Sequence, residues 1–528
     1  MELLLRVLVA ILTVAAVIVN TLLAWLVPRK KPFQPIRNKL LTLSIGELVI
    51  ELRSKKLTSE QLVRVYIDRV KQVNASLNAV VEDRFQEALK EAQHADQLIA
   101  KATGEQLLVL FARYPLLGIP CTIKESCGVK GMSLVVGNVH RMHERSRDNG
   151  EVVELLRSAG CIPLLVSANP EFCMSLETNT HTNGRCMNPY DLRRTTGGSS
   201  GGEGALNSSG ASVFGLGSDI GGSIRLPAMF SGVFGHKCTG NLVSTQGHFP
   251  NSQIDAEFPN YMQLGPITRF ARDMPLLLQI MAGNNVDKLK FSEGLKTKDI
   301  RIHYAYGFEG LNGLTHPPVD FEIKLAIQRA VMCFEKAGLE TKEFSTKNLR
   351  NSLEICLSAF SAIKGVPSVI SQSTKTRPTL KVLTIEFIRS LFGHSLYTKD
   401  ALFMEMMHGM QSLIRPENIE KYQTEAATLR QEITDLLGPN GVIFFPTFHA
   451  PALHFNTALI NLVGIDMLML FNVLGLPTTH VPMGLDRHGM PTGFQVIAAP
   501  YQDKLCLHIA AELEGAFGGW TPQQPNEI

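Results

Sequence analysis

Residues 197–222 constrain this chain more than any other part of its sequence. Ten of these 26 residues are glycine, against 43 of 528 in the whole chain, and serines fill many of the remaining positions. A backbone with so few Cβ atoms can come very close to a ligand or to another chain segment. Three kinds of site need such a backbone: a nucleotide-phosphate loop, a nucleophile elbow, and an oxyanion hole beside a catalytic serine.

Nucleotide binding is the least favoured of the three. A P-loop needs a lysine directly after its glycines, and none follows here. At the dinucleotide spacing, Gly215-Leu-Gly217 lacks the third glycine, because Ile220 occupies that position. Nucleic acid is excluded as a partner on other grounds, since a net charge of +3 does not supply a basic face.

A nucleophile elbow would make Ser199 the nucleophile. The run Gly197-Gly-Ser199-Ser-Gly201 matches the G-x-S-x-G pattern of that elbow. In an elbow the serine directly follows a strand, whereas residues 188–196 are polar and typical of a loop. The elbow is therefore less favoured, but it stays open as an alternative.

The third alternative makes Ser223 the nucleophile. Small residues dominate the run 217–227, so several backbone N–H groups beside the Ser223 hydroxyl are free to converge on one oxygen. These groups belong to Ile220, Gly221, Gly222 and Ser223. Such an arrangement is a nucleophile with its own oxyanion hole.

A serine hydroxyl is a weak nucleophile at neutral pH and needs a base. The chain offers Lys124, which interrupts the buried-looking run 117–125. Burial favours the uncharged amine, and an uncharged amine accepts a proton. Taken alone, however, a lysine at a strand end is more often a solvated charge.

Two glycine-rich motifs resemble the amidase signature, which is a long and specific pattern. They are Gly197-Gly-Ser-Ser-Gly-Gly-Glu-Gly204 and Gly215-Leu-Gly-Ser-Asp-Ile-Gly-Gly-Ser-Ile-Arg-Leu-Pro227. The similarity covers most of the chain, from residues 118–125 to residues 489–495. Within this family, the apolar N-terminus and the wording Gly-Gly-Glu-Gly look most like fatty-acid amide hydrolases, particularly those of type 2.

The resemblance assigns a role to each candidate residue. It implies Ser223 as the acyl-accepting nucleophile, Ser199 as a bridging serine held by a cis peptide bond, and Lys124 as the base. It implies no cofactor and no metal. The oxyanion donors would be the N–H groups of Ile220, Gly221, Gly222 and Ser223, and the supporting residues would be Ser200, which we expect to bond Lys124, together with Asp219, Arg225 and, beside the substrate amide, the carbonyl of Cys173.

Two departures from the family pattern affect packing rather than the triad. Asn207 stands where the signature has an aliphatic residue, and Cys238 follows Gly-His-Lys where proline is usual.

Nine cysteines without a C-x-x-C pair argue against a disulfide framework and a structural zinc site, and fit a reducing compartment. The pair His140 and His143 lacks a third metal ligand, so we interpret both as surface residues.

The predicted fold class is α/β. Ser44-Ile-Gly-Glu47 and Thr58-Ser-Glu-Gln61 are capping boxes that predict helix starts. Short apolar runs at residues 116–123, 162–166 and 442–445 predict buried strands. The resemblance implies a large, mixed, mostly parallel twisted sheet with helices on both faces, formed by one catalytic domain at residues 44–528.

Residues 7–27 carry no charge over 21 positions, enough for a helix to cross about 30 Å of hydrocarbon. We predict a transmembrane anchor at residues 1–28 and a basic juxtamembrane linker at residues 29–43. A cleaved signal peptide is the rival interpretation. The basic linker places the catalytic domain in the cytosol by the positive-inside rule, although sequons at Asn74 and Asn207 argue for the lumen.

Residues 381–415 concentrate leucine, phenylalanine and methionine side chains. They fit either a buried helix pair with methionine as filler or a membrane-facing cap over an acyl chain. Both alternatives remain open at this point.

The resemblance implies hydrolysis of fatty-acid amides and N-acylethanolamines to fatty acid and amine through an acyl-enzyme. The expected partners are the lipid amide substrate and membrane lipid, with a homodimer left open. Two other functions also remain. One is a different amidase of the same family, such as a glutamine amidotransferase subunit, and the other is an inactive, membrane-tethered lipid-binding protein.

Overall fold

The computed structural model describes residues 2–26, 35–309, 316–409, 414 and 416–523. Eleven strands form one sheet in the order β1-β3-β2-β6-β8-β7-β12-β13-β11-β9-β10, and β4 pairs with β5 separately. The strands are β1 (Val80–Asp83), β2 (Pro120–Lys124), β3 (Ile162–Ser167), β4 (Asn179–Thr180), β5 (Gly184–Arg185), β6 (Phe214–Asp219), β7 (Phe234–Lys237), β8 (Gln263–Thr268), β9 (Arg301–Tyr304), β10 (Glu340–Glu343), β11 (Gly441–Phe445), β12 (Thr478–Leu485) and β13 (Pro491–Ala498).

The prediction of a large mixed sheet is confirmed, but fewer of its neighbouring strands run parallel than the expected mostly parallel arrangement implies. Parallel pairs occur in two groups of three strands, β3-β2-β6 and β11-β9-β10. The strands between these groups, and the edge pair β1-β3, are antiparallel. Apolar runs predict that a strand is buried, and they carry no information about the direction of its neighbour.

Eighteen α-helices surround the sheet in the described residues. They are α1 (Glu2–Leu26), α2 (Ile45–Arg53), α3 (Ser59–Leu77), α4 (Phe85–Lys101), α5 (Glu105–Arg113), α6 (Glu151–Ser158), α7 (Gly201–Ser208), α8 (Arg225–Ser231), α9 (Phe258–Tyr261), α10 (Met274–Ala282), α11 (Phe321–Lys336), α12 (Ser352–Ala362), α13 (Leu380–Leu391), α14 (Lys399–Gly409), α15 (Pro416–Leu437), α16 (Ala458–Asn461), α17 (Asp466–Val473) and α18 (Asp503–Phe517). Both predicted capping boxes are present, at Ser44 before α2 and at Thr58 before α3.

Each face of the sheet has its own apolar core. In β11, Val442 and Phe444 belong to one core, whereas Ile443 and Phe445 belong to the other. Alternate residues of a strand point to opposite faces, so the sheet is covered on both sides. The predicted strands at 162–166 and 442–445 are confirmed, while in the run 116–123 the strand begins only at Pro120.

The N-terminal helix α1 packs one narrow face on the body of the protein. Val9, Thr13 and Ala16 are buried at helical spacing. Arg6 forms an ion pair with Glu354 at 2.8 Å, and Asn20 Nδ2 donates to Asn461 Oδ1 at 2.8 Å. The opposite face of α1 carries exposed apolar side chains, including Ile11, Val14 and Ile18.

Residues 6–23 of α1 are long and apolar enough to cross a membrane. The predicted end of the anchor at Pro28 and the first basic residues of the linker, Arg29, Lys30 and Lys31, lie outside the described residues. The proposed sequon asparagines have structural roles instead: the Asn74 side chain accepts from the N–H of Ala79, and Asn207 is fully buried in α7.

Segment 381–415 forms a helix pair with two different faces. Leu383 of α13 packs against Ala401 and Leu402 of α14, as expected for a buried helix pair. The outer face of α13 remains exposed and apolar. Its side chains at Ile385, Ile388 and Leu391 are 48%, 50% and 56% exposed. Met410 and Arg415, at the end of this segment, lie outside the described residues.

Candidate active site

Lys124 is the last residue of β2, and its side chain is completely buried. β2 runs parallel to β6, so the carboxyl ends of both strands meet at the same edge of the sheet. Ser218 and Asp219 end β6 at that edge. Ligand-binding crevices of parallel sheets lie outside these carboxyl ends, which makes this edge the natural place for a site.

The amine of Lys124 bonds two serine hydroxyls. Its Nζ lies 2.6 Å from Ser199 Oγ and 2.8 Å from Ser218 Oγ. Ser199 stands just before α7, and the peptide bond between Gly198 and Ser199 is cis, as the resemblance implies. The structure therefore brings together Lys124 and Ser199, which are 75 positions apart in sequence.

The expected bond between Ser200 and Lys124 is wrong. Ser200 Oγ instead donates to the carbonyl of Ser218 at 3.2 Å and accepts from the N–H of Ser218 at 3.3 Å. These two bonds tie the start of α7 to the backbone of β6. Because the side chain of Ser218 faces β2, Ser218 takes the place beside Lys124 that the sequence assigned to Ser200.

Ser223 lies beside this pair, because its carbonyl accepts from the N–H of Ser200 at 3.1 Å. Its side chain is partly exposed and faces a small pocket of about 70 Å³. Ile220, Gly221 and Cys173 also line that pocket. Two of the four predicted oxyanion residues and the predicted substrate-lining cysteine thus share one pocket with the candidate nucleophile.

Asp219 and Arg225 form a buried, two-pronged ion pair. Arg225 Nη2 lies 3.0 Å from Asp219 Oδ1, and Nε lies 3.1 Å from Oδ2. The guanidinium also donates to Gln495 Oε1 at 2.9 Å and to Asn472 Oδ1 at 2.6 Å. Burial acts to raise the pKa of Asp219, but the charge and hydrogen bonds of Arg225 outweigh it and hold that pKa well below its usual range.

This ion pair shapes the loop that carries Ser223. Asp219 Oδ1 accepts from the N–H of Gly222 at 2.7 Å, and Oδ2 accepts from the N–H of Ile224 at 3.0 Å. The N–H of Gly222, one of the four predicted oxyanion donors, therefore already has a partner inside the protein. Asp219 and Arg225 have the bracing position that the sequence predicted for them.

Gly222 itself is required by space and by conformation. Its φ is +108°, a region that side chains rarely adopt, and a Cβ there would lie 2.5 Å from Leu468 Cδ1. The loop can turn beneath Ser223 only because this position carries no side chain.

The small pocket adjoins a much larger cavity of about 410 Å³. Ile220, Cys173, Met404 and Met469 line both. Other walls of the cavity come from the N-terminal helix and from α14. These walls are lined by Leu8, Val9, Leu12, Phe403 and Met407. This volume lies within the range of about 300–1,000 Å³ that is usual for ligand pockets, and the wall is mostly apolar.

Glu203 of α7, the glutamate of the Gly-Gly-Glu-Gly motif, lies deep behind the site. Its Oε2 accepts from Thr122 Oγ1 at 2.5 Å. Burial raises the pKa of Glu203 to about 7, although hydrogen bonds and the charge of Lys124 act in the other direction.

Two residues of this arrangement were missed in the sequence. Ser218 lies inside the signature motif near the end of β6, and the alternation of side chains along that strand would have assigned it only to a face of the sheet, not to Lys124. His248 lies 30 residues further on, and its Nε2 is 2.9 Å from Ser218 Oγ. No local pattern around His248 indicates that contact.

Potential metal-ligand residues lie on the surface and in one buried group of the described residues. His140 and His143 are exposed, as predicted. Among the described residues, the ligand atoms of His236, Cys238 and Asp503 do lie close together. His236 Nε2 is 3.2 Å from Asp503 Oδ1, and Cys238 Sγ lies 3.3 Å from the carbonyl of Leu264, so these side chains pack as a buried hydrogen-bonded cluster.

The chain is similar to proteins of one known family. The amidase family model matches residues 61–507. Fatty-acid amide hydrolase 2-B of Danio rerio is 38% identical, with 93% of each chain covered, and fatty-acid amide hydrolase 2 of Homo sapiens is 34% identical over 92% of this chain and 91% of its own. A solved structure of fatty acid amide hydrolase, 20% identical, superposes with a TM-score of 0.72 over 92% of this chain and 86% of its own.

Proposed function

The chain is a member of the amidase family and hydrolyses amides, and we propose that its substrates are long-chain lipid amides, cleaved by a Ser223-Ser199-Lys124 triad. The observation that carries this proposal is that two spaces adjoin. The pocket at Ser223 shares much of its lining with an apolar cavity of about 410 Å³. Polar amides would leave that cavity unfilled, whereas an acyl chain of a fatty-acid amide or an N-acylethanolamine would bury its methylene groups there.

The first half of the reaction uses Lys124 as a base. Uncharged Lys124 takes the proton of Ser199, and Ser199 takes the proton of Ser223. Ser223 Oγ then attacks the amide carbon, and the carbonyl oxygen becomes an oxyanion. The distance of 2.6 Å between Lys124 Nζ and Ser199 Oγ supports the first of these transfers.

The second half returns the proton. The relay runs backward and protonates the nitrogen of the departing amine, so that the C–N bond breaks and an acyl-enzyme forms on Ser223. Water, deprotonated by the same relay, then releases the fatty acid. An amine leaves poorly without a proton, so this return path distinguishes an amidase from a simple esterase.

The oxyanion would be held by backbone N–H groups. We assign this role to the N–H groups of Ile220, Gly221 and Ser223. Gly222 has its N–H on Asp219 and shapes the loop instead. Each donor aimed at an oxyanion stabilises the transition state by about 3 kcal/mol in comparable hydrolases.

Two apolar surfaces support attachment to a membrane. The outer side of α1 is exposed and apolar, and so is the outer face of α13. Because α1 and α14 both line the large cavity, and α13 packs on α14, an acyl chain would reach the cavity from the bilayer without crossing water. Residues 1–28 would be the anchor, residues 29–43 the linker, and residues 44–528 the catalytic domain, on the cytosolic side. Because Val9, Thr13 and Ala16 pack on the body, α1 would hold the mouth of the cavity against the bilayer rather than stand free of the catalytic domain.

The competing functions fit this site less well. A glutamine-hydrolysing subunit needs polar groups for the amino acid, whereas most side chains of the pocket at Ser223, such as Met469 and Leu462, are apolar. Its polar pair, Asp400 and Ser175, is bonded together at 3.0 Å. An inactive lipid-binding protein gains nothing from placing Lys124 within 2.6 Å of Ser199. The homodimer stays a prediction.

Chain-length preference tests the proposed substrate. We expect kcat/KM of the purified protein to rise steeply from acetamide to oleamide. Met407→Trp, which fills the cavity at a position that does not line the pocket at Ser223, should reduce the rate on oleamide and spare short amides. The matched control is Met332→Trp, because Met332 is exposed on α11. Equal rates on short and long amides would remove the case for a lipid substrate.

A further inference from the structure

His248 lies at the end of a hydrogen-bonded chain that reaches the proposed base. Its Nε2 is 2.9 Å from Ser218 Oγ, and Ser218 Oγ is 2.8 Å from Lys124 Nζ. On the other side, His248 Nδ1 is 2.8 Å from the carbonyl oxygen of Pro250. The imidazole is 5% exposed.

The partners fix which nitrogen of His248 carries a proton. A carbonyl oxygen can only accept, so Nδ1 carries the hydrogen and donates it to Pro250. Burial is the largest cause that lowers the pKa of His248, and it acts whether or not Lys124 is charged, so the ring is neutral and Nε2 is a bare acceptor.

The orientation of Ser218 follows from that tautomer. With Nε2 as an acceptor, the single O–H of Ser218 points at His248. Ser218 Oγ then faces Lys124 with a lone pair and accepts an N–H from the amine. Lys124 therefore donates a hydrogen to Ser218 and keeps its own lone pair free.

We propose that His248 is a positioning residue, which holds the Ser218 hydroxyl away from Lys124 so that the lone pair of the uncharged amine stays directed at Ser199. Without an acceptor on His248, the Ser218 hydroxyl would turn and donate to that lone pair. Lys124 would then be unable to take the proton of Ser199. The inference rests on the proposed triad and adds to it a residue that borders the large cavity but contacts none of the reacting atoms.

Two amide side chains separate the contacts of His248. The side-chain amide of glutamine reaches the position of the histidine Nε2, so in His248→Gln the amide oxygen can still accept from the Ser218 hydroxyl. The shorter amide of asparagine reaches only the position of Nδ1, so His248→Asn keeps the hydrogen bond to the Pro250 carbonyl and loses the one to Ser218. The two variants therefore have side chains of similar polarity and differ in whether they keep the hydrogen bond to Ser218.

The readout is the rate at which a fluorophosphonate probe labels Ser223 in the full chain, together with kcat and KM for an amide. We expect His248→Asn to lower the labelling rate and kcat about tenfold, with KM unchanged, and His248→Gln to stay within about threefold of the wild type. Equal rates for the wild type and His248→Asn would overturn the proposal.

A second experiment repeats the comparison in the Ser218→Ala variant. This variant removes the hydroxyl that His248 restrains, so adding His248→Asn to it should cause no further loss. If the two losses simply add, His248 acts through packing and the proposal fails. Absence of labelling in the wild type would instead refute the triad itself, an outcome that the rates of the variants cannot mimic. The comparison in the Ser218→Ala background also decides the question if His248→Asn alone folds poorly.

Discussion

Lys124 Nζ lies 2.6 Å from Ser199 Oγ, and both groups are shielded from water. This contact joins the end of β2 to the glycine-rich turn before α7. Through it, the fold brings a proton acceptor to a serine of the signature motif.

Removing that amine should affect amides more than esters. In Lys124→Met, a variant of similar length, Ser223 loses its base and the departing amine loses its proton source. An ester leaving group needs no proton, so we expect kcat/KM to fall by about 10²–10⁴ for an amide and by distinctly less for the matched ester. The measurement compares an oleoyl amide with the corresponding methyl ester. Equal losses would contradict a role for Lys124 in protonating the amine.

The ion pair of Asp219 and Arg225 should set the stability of the active-site loop. Arg225→Lys keeps one charge but loses the two-pronged contact and the bonds to Gln495 and Asn472. Because the site is fully buried, we expect the free energy of unfolding to fall by about 3–5 kcal/mol. Urea unfolding measures this change. The control is Arg53→Lys on the exposed side of α2, which should shift the free energy of unfolding by less than about 0.5 kcal/mol.

The outer face of α13 should matter only when the substrate is in a membrane. Placing aspartate at Ile385 and Ile388 breaks an exposed apolar face without touching the cavity. We expect at least a severalfold loss of activity on oleamide embedded in vesicles, and none on oleamide in detergent micelles. Leu108→Asp, on exposed α5, is the matched control. Equal losses in both assays would mean that the variant is misfolded.

The buried carboxyl of Glu203 should make the free energy of unfolding fall as the pH rises. Burial raises the pKa of Glu203 from 4.5 to about 7, so the folded protein binds a proton that the unfolded chain releases. This contribution to stability is fully present below pH 4.5 and is lost as the pH rises through 7. Relative to Glu203→Gln, the wild type should therefore lose stability between about pH 5 and pH 8. Urea unfolding of both proteins across that range measures the difference, and a constant difference would contradict the raised pKa.

The sequence predicted elements whose signal is local. The capping boxes at Ser44 and Thr58 and the apolar runs of β3 and β11 depend on neighbours in the chain, and all were found. Lys124, Ser199 and Ser223 were chosen because the signature motif holds them at a recognisable spacing. The contact between Lys124 and Ser199 is consistent with that choice.

What the sequence missed depends on contacts across the fold. Ser200 and Ser218 are both serines of the same motif, and only the direction of the Ser218 side chain on β6 decides which one meets Lys124. His248 reaches Ser218 through a loop whose path no periodicity reveals. The part of the cavity wall that α1 contributes could not be predicted either. An apolar sequence long enough to cross a membrane reads the same whether the helix is free or packs one face on the catalytic domain.

Covalent labelling of the full chain by a fluorophosphonate probe tests the central claim most directly. The proposed triad predicts that the wild type is labelled, that oleamide or anandamide competes, and that Ser223→Ala abolishes the label while Ser199→Ala and Lys124→Ala slow it strongly. Labelling that survives Ser223→Ala and disappears in Ser199→Ala would contradict this triad and make Ser199 the nucleophile of an elbow.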